Sequence, residues 1–218
     1  MERLSRIVEN ILSEDISVID NILNVKDNVR ENAIKLSRDI IRASAEVTRL
    51  IHLKDFSSAK EKLSIAQDKA RELIDLLKDH PDLFYSGLVY NCLSEFVEAY
   101  IVYNLIVAKR MPSYKELAGI PYIPYLQGLG DTIGEIRRYI IDLLKDEKYE
   151  EAREYLDVIE NMYQVLKKLH YPDALTPGLR HKVDVARRLI EDTKVLYVNT
   201  ITASRLRKSL EKVLESKT

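Results

Sequence analysis

One cysteine, six glycines and six prolines are all that 218 residues hold of the types that staple or break a chain. The single Cys92 excludes an internal disulfide framework and fits a reducing interior, so the expected compartment is the cytoplasm. So few Gly and Pro leave few places to turn, and long helices joined by short loops follow. Charge of one sign is also missing: 34 Lys and Arg nearly cancel 35 Asp and Glu. A nucleic acid would therefore have to be held by a local basic patch rather than by the overall field. The N-terminal Met1-Glu2-Arg3-Leu4-Ser5-Arg6 lacks the apolar core and small-residue cleavage site of a secretory signal. No run of about 18 apolar residues is free of charge, so no membrane segment is expected.

What is present is a 46% apolar, 32% charged chain, read as one all-α domain over residues 1–218. Apolar residues recur at helical spacing from about Leu4 to Leu53 without Pro or Gly, predicting one very long helix or two with a bend. A second helix follows Asp55, with Ser57 or Ser58 as its cap, and stops at His80-Pro81. A third is expected over about Leu83 to Arg110, a connecting loop to Pro124, then helices to about Lys145 and over Lys148 to Leu169. The last runs from about Leu179 towards Leu214, with a bend near Asn199-Thr200 where β-branched residues cluster. No 30 to 50 residue repeat and no strand alternation is found. The fold class is an all-α bundle of six to seven mostly long helices, with the third and fourth, the most apolar, at its centre.

Those two helices carry isolated acids. Between Asp82 and Lys109 the only charges are Glu95 and Glu98, three apart and so on one face. Between Glu116 and Glu135 the only charge is Asp131, four residues before Glu135. Two ionised carboxylates desolvated side by side cost several kcal/mol unless a cation or proton compensates, and a divalent ion is the usual compensator. All-oxygen ligands point to Mg2+, with Mn2+ as a substitute. The Glu-x-x-His pattern of di-iron bundles is missing. Gly128, Gly130 and Gly134 would let another backbone or a phosphate approach closely. The competing reading is that these acids face solvent or pair with basic residues on neighbouring helices.

On the first helix Lys35, Arg38, Arg42 and Arg49 fall within a sector of about 60° opposite Leu36, Val47 and Ile51, a track for phosphates. The plainer alternative is a solvated face on which Glu46 pairs with Arg42 or Arg49.

Lys35-Leu36-Ser37-Arg38-Asp39-Ile40 resembles the first-helix signature of TRAX, the translin-associated subunit of the translin/TRAX family. Glu95-Phe96-Val97-Glu98-Ala99 and Tyr125-Leu126-x-Gly128-x-x-Asp131-x-x-Gly134-Glu135 are similar to its two acidic motifs, and Leu179-Arg180-His181-Lys182-Val183-Asp184 to its Leu-x-x-Lys-x-Asp segment. These matches run in order from about residue 30 to 190. The resemblance implies a translin-like seven-helix fold, assembly into a closed hollow homo-octamer that admits a second translin-type subunit, and a Mg2+-dependent endoribonuclease whose acids face inward. Glu95, Glu98 and Asp131 then match the catalytic, metal-holding carboxylates, and Glu135 the fourth acid beside them. His52 matches a family histidine, although a lone helical His is more often structural. Ala45 and Glu46 stand where TRAX carries a basic pair, and Leu53 where the family has a basic residue.

The expected activity is thus hydrolysis of phosphodiesters in single-stranded or short RNA, with Lys35, Arg38, Arg42 and Arg49 guiding the backbone. Two alternatives stand beside it. One is a non-catalytic scaffold binding RNA or single-stranded DNA; the other is an all-α nucleotide pyrophosphohydrolase, whose second acidic pair is spaced by three rather than four.

Overall fold

A computed structural model describes residues 2–215, and these form helices and connecting loops with no strand among them. Helix α1, Glu2–His52, is unbroken for 51 residues, as a stretch without Gly or Pro permits. It ends where Lys54 takes a left-handed φ of 61° and the chain reverses. Helix α2, Phe56–Leu77, returns along it. Its cap is Asp55, whose carboxylate accepts from the Ser58 backbone N–H at 3.1 Å, so Ser58, one of the two serines expected as caps, supplies the donor instead. Buried Ala59, Ala66 and Ala70 on α2 let its backbone lie close to α1.

The third predicted helix is two. A single turn, α3 over Pro81–Phe84, precedes α4 over Gly87–Ile106, which begins after Ser86 and stops four residues short of Arg110. Twelve of the twenty α4 residues are buried, because α1, α2 and α5 cover it. The loop that follows runs back along the bundle, steadied by an Arg110–Glu116 ion pair and by the Tyr114 hydroxyl donating to Ile120 O. Helix α5, Tyr122–Lys145, accommodates Pro124 in its first turn, where no backbone donor is needed. It runs parallel to α4: Gly128 packs on Ser94 and Val97, and further along Ile106 shares a cleft with Tyr139. Helix α6, Tyr149–Leu166, comes back along α5. Helix α7, Leu179–Glu215, continues through Asn199 and Thr200, where the hydroxyls of Thr200 and Thr202 donate to carbonyls four residues earlier. The layer order is α2, then α1 and α4, then α5, then α6 and α7, so α4 and α5 are central as their composition requires.

No helix among the described residues is long and apolar enough to cross a membrane. Cys92 is buried in α4, and burial pushes its thiol up to about 11, which leaves it unreactive.

Candidate carboxylate site

Because α4 and α5 run in the same direction, Glu95 and Glu98 lie level with Asp131 and Glu135. Gly128 permits the close approach: a Cβ there would stand 2.6 Å from Ser94 O and 2.8 Å from Val97 Cβ. Backbone cannot yield as a flexible side chain can, so Gly128→Ala is expected to destabilise the fold by about 1–3 kcal/mol. Thermal denaturation checks this, and an unchanged melting temperature would contradict the contact. Gly130 has a related role, since a Cβ there would meet Lys182 Cβ at 3.1 Å. Lys182 of α7 crosses α5 at that point. At Gly134 an added Cβ would make only an ordinary contact of 3.9 Å with Leu189, so the third glycine serves no close approach of protein.

The four acids feel one another. Burial and then the Asp131, Glu95 and Glu135 charges push Glu98 up to about 8. Glu95 is raised as well, by burial first and then by Asp131, with Lys182 opposing. Each acid of α5 has a cationic or hydrogen-bonding partner. Lys182 Nζ donates to both Asp131 oxygens, at 2.5 and 2.6 Å. His52, its side chain only 8% exposed, places Nε2 3.1 Å from Glu135 Oε2 and Nδ1 3.0 Å from Asp142 Oδ2. Asp142 is held below its usual range because hydrogen bonds from His52 and Lys145 outweigh its partial burial.

Glu95, Glu98 and Glu135 line a cleft of about 230 Å³ together with Ser44, Arg49 and Arg138. The Ser44 hydroxyl is buried and has no hydrogen-bond partner among the described residues. Larger cavities of about 590 and 430 Å³ flank Tyr125, but they are lined chiefly by aliphatic and tyrosine side chains and hold no acid pair.

The donor set is all carboxylate oxygen, with Glu95 and Glu98 raised in proton affinity, and it has the charge that a hard divalent cation neutralises. Its geometry is not closed: among the described residues no three His, Cys, Asp or Glu side chains converge tightly enough to hold a metal ion. Asp131 instead pairs with Lys182 of α7, and Glu135 with His52 of α1.

Lys35, Arg38, Arg42 and Arg49 are all exposed along one face of α1. Glu46 pairs with Arg49 through two hydrogen bonds of 2.7 and 2.6 Å, while Arg42 reaches Asp39 only at 4.0 Å. Of the four, Arg49 alone lines the carboxylate cleft. Three contributors escaped the site reading of the sequence. Lys182 lies in a segment to which the resemblance gives no site role, a lone helical His such as His52 reads as structural, and Arg138 carries no spacing signal.

An all-α bundle whose paired inner helices present coupled acids beside arginines is the class that fold and site define. The chain belongs to the Translin family, whose family model matches residues 28–197. It is 33% identical over 204 residues to an uncharacterized protein of Methanocaldococcus jannaschii, covering 93% of this chain and 90% of that one. Among solved structures it is similar to AfC3PO in complex with duplex RNA, at TM-score 0.81 and 27% identity over 86% of this chain and 97% of that one. The crystal structure of AfC3PO matches over the same shares at TM-score 0.78 and 26% identity. Apo-NeC3PO, at TM-score 0.75 and 24% identity over 84% and 96%, shares the fold.

Proposed function

We propose that this chain is a TRAX-like endoribonuclease subunit, one translin-like domain over residues 1–218 that hydrolyses single-stranded or short RNA with Mg2+, or Mn2+ in its place, in the cytoplasm. The observation that carries this reading is the cleft itself, where coupled carboxylates of α4 and α5 stand beside Arg49 and Arg138. A phosphodiester and a divalent cation together need that combination. Membership of the Translin family and likeness to an RNA-bound C3PO support RNA as the ligand and an oligomer as the working form, which on this reading is a closed homo-octamer.

Glu95, Glu98 and Asp131 would hold the cation, with Glu135 beside them. Lys182, which pairs with Asp131, would place an ammonium group beside the cation and its phosphate ligand. When bound, the cation supplies Lewis-acid polarisation of the phosphate and stabilises charge that develops on its oxygens. In the hydrolysis a water oxygen forms the new P–O bond in line with the departing ribose oxygen. The bond to that oxygen breaks, the water proton is taken up by a carboxylate of the cluster, and the departing ribose oxygen takes a proton from solvent to leave as a hydroxyl. Arg49 and Arg138 balance the phosphate charge, while Lys35, Arg38 and Arg42 lead the backbone along α1 towards them.

Incubating labelled RNA with the protein in Mg2+ or in EDTA tests this. Cleavage in Mg2+ that stops in EDTA is expected, with free nucleoside triphosphates left intact. The Lys182–Asp131 and His52–Glu135 pairs favour one second reading, a non-catalytic RNA-binding scaffold whose acids are structural. Tight RNA binding without cleavage in either condition would establish that reading instead.

A further inference from the structure

The N-terminal half of α1 leaves the bundle. Every described side chain from Leu4 to Val25 is exposed, and the first tie to the rest of the molecule is Lys26 Nζ to Asp82 Oδ2 at 2.7 Å. Burial begins only at Ala33. Yet this arm is as apolar as a core helix. Leu4, Val8, Ile11, Val18, Ile22 and Val25 follow the alternating three and four spacing of a heptad seam, with Asp15 in the one remaining position. Beside it Leu12, Ile16, Ile19 and Leu23 form a second seam, so aliphatic side chains 47% to 69% exposed cover about 180° of the helix. A helix that packs on one neighbour has a narrower stripe. This face has room for two.

The occupant is argued by charge, area and position. Between residues 4 and 28 there are five acids, Glu9, Glu14, Asp15, Asp20 and Asp27, against Arg6 and Lys26. That excess repels RNA and anionic lipid, and an interfacial membrane helix would carry Lys and Arg on its polar face. The exposed aliphatics offer on the order of 1,000 Å² per arm, where a standard stable interface takes about 800 Å² from each partner. The family match starts at residue 28, close to where the arm leaves the bundle, while the relative matched over 93% of this chain shares part of the arm, so the arm is not peculiar to this chain. A heptad seam is self-complementary, which makes a further copy of the same seam its natural filling.

We propose that residues 4–29 form a homotypic assembly arm, through which copies of this chain pack along both seams into a bundle of three or more helices. Asp15, placed on the seam, weakens the bundle and fixes its register, as a polar seam residue does. The proposal does not depend on the carboxylate site.

The test uses the full chain, its Val18→Glu/Ile22→Glu variant and its Asp15→Leu variant. Light scattering over a dilution series gives the subunit number, and hydrogen exchange followed by mass spectrometry gives the protection of residues 4–25. The double variant touches nothing in the bundle, so the bundle stays folded. It is expected to dissociate at a concentration at least about tenfold higher than the wild type, with arm amides exchanging at least about tenfold faster. Asp15→Leu is expected to shift both in the opposite direction. A monomeric wild type, or mass and exchange unchanged in both variants, overturns the proposal. So does an arm that is protected only when RNA or lipid vesicles are added.

Discussion

Asp131→Asn is expected to lower Mg2+-dependent RNA cleavage on the order of 1,000-fold while leaving RNA affinity within about twofold. The substitution keeps shape and removes one negative charge from the acidic cluster. A cation held by Glu95, Glu98 and Asp131 loses a ligand and a charge at once. The exposed cations of α1 are untouched, so binding to phosphates persists. Stability is expected to change by no more than about 1 kcal/mol, because Lys182 and Asp131 are 28% and 35% exposed and relief of carboxylate repulsion offsets the lost ion pair. Quantified cleavage and filter binding on one preparation separate these effects. Cleavage that survives the substitution would sink the metal mechanism.

The second large effect concerns Glu98. Without divalent cation, stability is expected to fall as pH rises from about 4.5 to about 8. Glu98 has an ordinary value of 4.5 in the unfolded chain and about 8 in the folded one, so within this window the folded state binds more protons. The folded state loses that advantage as the proton leaves. Glu95 shifts in the same direction and adds to the trend. Asp142 is shifted the other way, and its contribution is lost only as pH falls below the ordinary aspartate range. Carried through the whole transition, the loss from Glu98 is on the order of 5 kcal/mol, given that one pKa unit is worth about 1.4 kcal/mol. Glu98→Gln is expected to flatten this slope. Mg2+ at a hundred times its Kd is expected to add about 2.7 kcal/mol to the wild type at pH 8 and much less to the variant. Denaturant titrations at pH 5 and pH 8, with Mg2+ and with EDTA, measure all four quantities; a slope equal in wild type and variant would show that Glu98 is not the titrating group.

Much of the bundle was legible because helical periodicity and punctuation are local. Pro81, Pro112, Pro121 and Pro172 stand at or near real helix ends, and the solitary acids of α4 and α5 were visible as charges in greasy helices. The misread details were also local but finer. Asp55 rather than Ser57 or Ser58 caps α2, and Gly87 restarts the chain after the short α3 turn, because cap geometry depends on a few backbone angles that composition does not encode.

The helical spacing of α1 predicts a continuous apolar face, and the unbroken helix carries one. Nothing in its periodicity told that residues 4–25 extend past the bundle, because an exposed aliphatic stripe and a buried one have the same spacing.

The order of residues by itself determined the all-α class, the extent of the long helices and the presence of paired acids on two inner helices, since each follows from spacing along one segment. Only the tertiary structure decided that Lys182 holds Asp131 and that His52 stands between Glu135 and Asp142. It also decided that Arg49, alone of the basic track, reaches the cleft. Those pairings join residues 51, 83 and 90 positions apart, and no local pattern specifies which face of one helix meets which face of another.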